Sequence, residues 1–315
     1  MSTYVLKRLM SLVPVLAGVS LLLFLMMEMI PGDAAEAMLG PYATPENVER
    51  LRRSMDLEGS LPVRYTSWLK NVLRLDFGQA YSIGRPVRDE VFERFSATLR
   101  LASAAFLISV MFGILCGGVA AICRERMIGR LIESLSLFGI SVPAFWIGLV
   151  LVSVFSVELG WLPSGGMSSI HRHGGWVLGF EHLLLPSISL GIVSSAVVAR
   201  FARSAFLDSL DSTHVRVARS KGIGEWRVLV VHVLRNAMPG LMPVLGLQAG
   251  FVIGGAVYIE TVFQWPGIGR MLVQAIQARD LLLVQGGVLV LGTIYLLINL
   301  MADILQHAFD PKLSK

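Results

Sequence analysis

The sequence predicts an all-α integral membrane protein with six transmembrane helices and a long extracytoplasmic segment between helices 1 and 2. Three observations carry this. Of 315 residues, 54% are hydrophobic and only 16% charged, against about 25% charged in soluble domains. The apolar residues gather in six blocks near the roughly 20 residues that cross a bilayer. Lys and Arg concentrate in alternate connections between those blocks. This composition excludes a disordered chain, a disulfide scaffold and an ordinary soluble enzyme. The net charge of +5 sits in short segments between apolar blocks, so it reads as membrane topology rather than a nucleic-acid footprint. Membrane lipid is the expected surrounding and nucleic acid is not an expected partner.

The first block runs from Leu9 to Ile30, with Glu28 near its end. Lys7 and Arg8 precede it and Ala35-Glu36-Ala37 resembles a cleavage site. Its apolar run nevertheless exceeds the about 7–15 residues of a signal h-region, so a retained span is expected. Residues 31–98 follow outside. Within them Thr44-Pro45-Glu46 reads as an N-cap with Pro at the first helical position, placing Val48, Leu51 and Met55 on one face. Val63, Trp68, Leu69, Val72 and Leu73 suggest a second amphipathic helix.

Four further blocks carry no charge: Leu101–Ile122, Leu135–Val157, Ala237–Ile259 and Leu281–Ala302. Leu183–Ala199 is shorter and is expected to extend through Phe206, with Arg200 and Arg203 in its last turns. Cys116 and Cys123 are seven residues apart on one helix, roughly 10 Å along its axis, too far for a disulfide. Basic residues mark the N-terminus (Lys7, Arg8), the second connection (Arg124, Arg126, Arg130) and the fourth (Arg216, Arg219, Lys221, Arg227, Arg235). Those segments and the C-terminus are therefore expected in the cytoplasm. The organisation expected is a first helix plus outer segment over 1–94, a membrane domain over 95–306 holding a cytoplasmic loop at 207–235, and a tail at 307–315.

No catalytic motif stands in the chain. There is no G-x-x-x-x-G-K-[ST], H-E-x-x-H, C-x-x-C or G-x-S-x-G, so no nucleotide, metal or nucleophile site is expected here. His171 and His173 flank Arg172 in an outer loop and read as solvated side chains. Glu28 and Asp303 lie near span ends. Gln248 and Asn299 read as helix cross-links, and an ion-driven carrier would place carboxylates at mid-membrane. Gly246, Gly250 and Gly254 form overlapping G-x-x-x-G steps, and Gly113 and Gly117 another. Such steps allow close packing, or sliding between two arrangements. Pro143, Pro186, Pro239 and Pro243 leave gaps in backbone pairing.

The loop from Leu207 to Arg235 carries five basic and three acidic residues. A helical stretch at Val215–Lys221 stops at Gly222, which suits a left-handed C′ position. A second stretch, Glu225–Asn236, places Trp226, Val230, Val233 and Leu234 on one face. The whole is a helix–glycine–helix elbow that another protein can grip.

At these residues the sequence resembles a known family. Arg200-x-x-Arg203-Ser204, Val215-Arg216-x-Ala218-Arg219-x-Lys221-Gly222 and His232-x-Leu234-Arg235-Asn236-Ala237 resemble the coupling region of binding-protein-dependent ABC import permeases, in their dipeptide, oligopeptide and nickel branch. Glu260-Thr261-Val262-Phe263-x-Trp265-Pro266-Gly267-Ile268-Gly269-Arg270 continues the likeness, as do Ile30-Pro31-Gly32-Asp33, Asp76-Phe77-Gly78 and Ser141-Val142-Pro143-x-Phe145-Trp146. The chain departs at Arg216-Val217-Ala218, where the general motif has Glu-Ala-Ala, and at Thr213-His214 and Leu281-Leu282.

The resemblance implies a type I ABC importer permease fold in a bacterial inner membrane. It implies a second permease subunit, two ATP-binding subunits and an extracytoplasmic solute-binding protein, with ATP and Mg held by partner subunits and no cofactor in this chain. It assigns ATPase coupling to Arg216, Ala218, Arg219, Lys221, Gly222, Ile223, Trp226 and Arg227. Gly246, Gln248, Gly250 and Gly254 fall to the translocation pathway or its helix packing. Glu260, Phe263, Trp265, Pro266, Gly267 and Gly269 fall to the outer mouth. Short peptides are the first substrate expectation, with nickel or another chelated metal second. The rivals are an intramembrane protease and an ion-coupled carrier or channel working alone.

Overall fold

A computed structural model describes residues 2–29, 43–54, 59–167 and 175–309. The helices are α1 (Ser2–Glu28), α2 (Pro45–Ser54), α3 (Leu61–Leu73), α4 (Val87–Ile122), α5 (Met127–Ser141), α6 (Ala144–Leu151) and α7 (Gly175–Leu210). Then follow α8 (Thr213–Ser220), α9 (Glu225–Arg227), α10 (Arg235–Val262), α11 (Ile268–Gln277) and α12 (Leu281–Phe309). Val152–Glu158 and Val228–Leu234 are π-helical. A two-stranded ribbon, β1 (Gln79–Ala80) and β2 (Arg85–Pro86), pairs antiparallel with Gln79 opposite Pro86.

Five described helical stretches are long and apolar enough to cross a membrane: Leu6–Met26, Val87–Ile122, Gly179–Leu210, Glu225–Val262 and Leu281–His307. A sixth crossing is available from Met127–Ser141 and Ala144–Glu158, which bend by 101° at their junction. The expected block Leu135–Val157 is thus bent within its length. Pro143 has no N–H to give the helix ladder and holds Val142 extended, at φ −91° and ψ 127°, so the helix stops and restarts. Two other expected spans lengthen. The second begins at Val87 rather than Leu101, and the fourth runs through Arg200 and Arg203 to Leu210. Arginines at a helix end keep their charge near the interface while the backbone stays paired.

The chain divides into two compact units. One comprises Ser2–Ala97 with Gly267–Leu296. In it, α2 starts as expected: Asn47 N–H donates to the Thr44 hydroxyl at 3.3 Å, with Pro45 at the first turn. Met55 lies outside the described residues. α3 keeps the middle of its expected face, with Trp68, Leu69 and Val72 half-buried, and loses both ends. Val63 and Leu73 are exposed, whereas Tyr65 and Trp68 meet Phe24, with ring centroids 5.4 and 5.8 Å away. Arg64 Nη1 donates to Glu28 at 2.8 Å, and the Ser20 and Tyr65 hydroxyls are 2.9 Å apart. The unit's core gathers Ala80, Val87, Val91, Ile268, Met271, Leu272, Ala275 and Leu283. Asp280 stitches it together. Its backbone N–H caps α11 through the Ala275 carbonyl, one Oδ accepts Leu283 N–H at the start of α12, and the other accepts both Ser82 N–H and Ser82 hydroxyl.

The other unit comprises Thr98–Pro266 with the described residues from Leu297 onward. Here α7 is central, packed against α5, α6 and α10. Small residues set the distance between helices. A Cβ on Gly117 would sit 2.5 Å from the Ala199 carbonyl oxygen, and one on Gly113 would sit 2.5 Å from Val198 Cβ. α4 and α7 therefore approach to backbone contact, as small-xxx-small steps permit. Cys116 and Cys123 are free thiols.

Candidate functional site

The elbow of the fourth connection is built from its buried side upward. α8 turns Val215 and Ala218 inward onto Ala202 and Phe206 of α7 and onto Val228, Val233, Ala237 and Leu241. Its C-terminus closes with Gly222 at φ +73°. Gly222 N–H donates to Arg219 O at 2.9 Å and Ile223 N–H to Ala218 O at 3.3 Å. These are the paired bonds of a glycine-closed helix end, and the positive φ is where a side chain brings strain. Gly224 then opens α9.

The second arm differs from the expected amphipathic helix. Val228 and Val233 are fully buried, while Trp226 is 79% exposed and Val230 is exposed. The π-helical ladder from Val228 to Leu234 is the reason. Its i→i+5 bonds put residues five apart on one face, where an α-helix would align three and four apart.

Of the eight coupling residues named from sequence, Ala218 is buried and Ile223 half-buried. Arg216, Arg219, Lys221, Gly222, Trp226 and Arg227 face out. Arg219 reaches across the turn to Glu225, and Arg216 Nη2 donates to Asp211 O at 2.9 Å. The hydrogen bond from Arg219 holds the Glu225 carboxyl below its ordinary value and raises the guanidinium above its own. The outer surface of the elbow is thus a cationic, tryptophan-bearing ridge on a rigid apolar footing.

Within the membrane region, a polar chain crosses three helices. Ser109 of α4 donates to Ser194 of α7 at 2.9 Å, and Ser194 donates to Gln248 Oε1 of α10 at 2.8 Å. All three are buried. The serines were missed from sequence. Sequence alone does not single them out, because Ser109 shares its apolar block with Ser103, and Ser194 shares its own with Ser187, Ser189 and Ser195. Gly246 lies against Ala302, where a Cβ would collide, and Gly250 is buried. Gly254 has open space around it. An apolar cavity of about 430 Å³ lies among α4, α10 and α12, with Ala102, Phe106, Leu245, Gly246, Ile253 and Ala302 on its walls.

At the far end of α10, Glu260, Phe263 and Trp265 are buried. Thr98 hydroxyl donates to Glu260 Oε1 at 2.6 Å. Gln264 adopts φ +51° and ends the helix, with Trp265 N–H on Glu260 O at 2.8 Å. Phe263 is clamped by Gly148 of α6 and by Gly165–Gly166, whose Gly166 N–H donates to Phe263 O at 2.7 Å. Pro266 follows. Gly267 caps α11, and Gly269 is buried in its first turn. Among the described residues no three His, Cys, Asp or Glu side chains gather as a metal site. His171 and His173 lie outside the described residues.

A multi-pass helical membrane protein with an arginine-bearing elbow seated on its bundle is the class these features define. The chain belongs to the family of binding-protein-dependent transport system inner membrane components, which matches residues 109–315, with the family's N-terminal part matching residues 1–102. It is 41% identical over 311 residues to the glutathione transport system permease protein GsiC of Escherichia coli strain K12, covering 99% of this chain and 98% of that protein. The GsiC protein of Shigella dysenteriae serotype 1 is equally similar. Among solved structures, the inward-facing MetNI methionine ABC transporter matches with a TM-score of 0.59 at 15% identity, over 70% of this chain and 96% of that one. An amino acid ABC transporter with histidines matches at 0.51 and 18% identity, over 71% and 94%. These distant likenesses show the type I importer permease fold. The chain is therefore an inner-membrane ABC permease subunit rather than a catalytic one. It works with a second permease, with ATP-binding subunits that carry the ATPase, and with a solute-binding protein.

Proposed function

We propose that this permease imports short peptides and that its elbow, Thr213 to Arg227, is the lever on which ATP-binding partners act. The carrying observation is the elbow's two-sidedness. Val215, Ala218, Val228 and Val233 lock it to α7 and α10, while Arg216, Arg219, Lys221, Trp226 and Arg227 stand free of that core. A force applied to such an element reaches α7 and α10 as rigid-body motion, the kind that switches a packed bundle between inward- and outward-open states. Aromatic and arginine side chains on an exposed ridge suit a protein partner.

In this reading the termini and the 207–235 loop are cytoplasmic, ATP and Mg sit in the partner subunits, and Gln248 with Gly246, Gly250 and Gly254 lies beside the pathway. Glu260 to Gly269 belongs to its outer mouth, and residues 1–94 are a first transmembrane helix plus an extracytoplasmic segment. The peptide assignment is supported by relatives named for glutathione, itself a small peptide.

The test is purification of the complete importer in mild detergent and reconstitution into liposomes with ATP inside. ATP-dependent accumulation of a labelled di- or tripeptide, surviving collapse of the proton gradient, is expected. Accumulation that follows the proton gradient and ignores ATP would overturn the lever. ATP-dependent binding-protein turnover without peptide uptake would overturn only the substrate.

A further inference from the structure

We propose that a cleft between α5 and α7, on the side of the arginine-rich connections, binds the headgroup phosphate of an anionic phospholipid. The cleft encloses about 320 Å³, and its walls include Ile132, Glu133, Leu137, Arg200, Arg203 and Leu207. Its chemistry is divided. One part offers two guanidinium groups, the Ser136 and Ser204 hydroxyls and a single carboxylate; the rest is aliphatic.

Arg203 is the centre of the argument. Its Nη2 lies 3.2 Å from Glu133 Oε2, and its side chain is only 28% exposed. Its Nε is buried without any hydrogen-bond partner. A buried guanidinium donor left unpaired is a costly arrangement that folded proteins rarely leave unanswered. Glu133 meets one corner of the fork and leaves the rest available. A phosphate, with several acceptor oxygens, matches the unused donors of a planar fork better than a second carboxylate would. Arg200 stands one helical turn before Arg203 and lines the same cleft, so the site carries two positive charges against one negative.

The aliphatic part selects among phosphates. A free phosphate ion would leave Ile132, Leu137 and Leu207 without a partner, whereas a phospholipid carries glycerol and acyl carbons on the same molecule. Leu131, Leu135 and Phe138 of α5 are exposed beside the cleft, as a lipid-facing helix requires. Arg124 and Arg126 lie in the adjoining connection and Arg130 in the first turn of α5. Basic pockets between spans at the cytoplasmic surface are a recognised setting for acidic headgroups. Naming the inner leaflet rests on the orientation proposed above; the site itself does not.

The experiment uses the complete importer, purified and placed in nanodiscs of phosphatidylcholine with about one lipid in ten phosphatidylglycerol, a composition chosen to make acidic lipid scarce but available. Native mass spectrometry counts the phosphatidylglycerol retained per complex. Wild type is expected to retain it. Arg203→Gln is expected to lower retention about fivefold, the effect of one basic residue at a membrane surface. Glu133→Gln is expected to raise it, because the competing carboxylate is gone. Arg203→Lys serves if the glutamine variant fails to assemble, and should fall between. Equal retention in wild type and an Arg203 variant, or lower retention in Glu133→Gln, would overturn the site. Displacement of the lipid by millimolar inorganic phosphate would overturn the lipid as occupant. ATPases found on the opposite face would refute the orientation while leaving these counts unchanged.

Discussion

Arg219 donates two hydrogen bonds to Glu225 across the Gly222 turn, Nε to Oε2 at 3.2 Å and Nη2 to Oε1 at 2.5 Å. Both side chains are largely solvated, so the pair contributes at most about 1 kcal/mol to stability. Its larger effect is to hold the two arms of the elbow at one angle. Glu225→Gln is therefore expected to leave the thermal unfolding of the purified importer nearly unchanged and to lower peptide uptake per ATP hydrolysed. Unchanged coupling, with ATPase rate and uptake measured in one preparation, would remove the pair from the mechanism.

The same pair fixes a pH response. Glu225 has its carboxyl lowered by the Arg219 hydrogen bond. Its contribution is present above the ordinary carboxylate range and is lost as pH falls through the lowered value. The same hydrogen bond raises the Arg219 guanidinium further into the basic range, so its own contribution is complete at every ordinary pH. Between pH 6 and pH 8 the stability difference between wild type and Glu225→Gln should stay flat, and it should shrink only in strong acid. Denaturation of the complex across that range checks it.

Gly222 and Gly117 separate two kinds of glycine. Gly222 has positive φ and open space around it, so alanine meets only backbone strain, about 1–2 kcal/mol. Gly222→Asn is expected to transport better than Gly222→Ala, because Asn tolerates the left-handed region. Gly222→Asp should abolish transport while the protein stays in the membrane, since it sets a negative charge on the cationic ridge. Wild-type uptake by Gly222→Asp would sink the lever.

Gly117→Ala is expected to act through the fold. Its Cβ would press on the Ala199 carbonyl oxygen and on Ala202, overpacking the α4–α7 contact by about 1–3 kcal/mol. Lower yield and earlier thermal unfolding are expected, with residual transport in proportion to the folded fraction. A stable Gly117→Ala complex without transport would instead mark the contact as one that moves.

Ser194→Ala removes the middle of the Ser109–Ser194–Gln248 chain. Hydrogen bonds between membrane helices average about 0.6 kcal/mol and reach about 1.7, so a loss within that range is expected. Ser109→Ala should cost less, because Ser194 can still donate to Gln248. Equal losses from both substitutions would show that the chain acts as a single unit.

The sequence made the spans and the elbow's turn legible because bilayer length and a glycine before a charged stretch are local signals. Thr44, Pro45 and Gly222 behave as their types require. What stayed hidden depends on partners elsewhere in the chain. The π-helical ladder that turns Val228 and Val233 inward leaves no compositional mark, so an α-helical period placed Trp226 and Val230 on the wrong side. The bend at Pro143 was visible as a proline, but its 101° depends on what packs against both arms. Leu75, Gln264 and Arg279 take positive φ, a conformation their side chains do not advertise. Ala218, assigned to coupling because it lies within a motif, sits on the buried stripe of α8.

The π-helical stretch has one more consequence. It amounts to an extra residue wound into a helix, and each α-helical residue turns the chain by about 100°. That winding sets the azimuth at which the elbow leaves α10. Deleting one residue between Val228 and Leu234 would leave Thr213–Arg227 and Arg235–Val262 intact. It would rotate one against the other like a gear slipped by a tooth. The elbow and the membrane region therefore share an angular register that lies in how tightly the chain is wound between them.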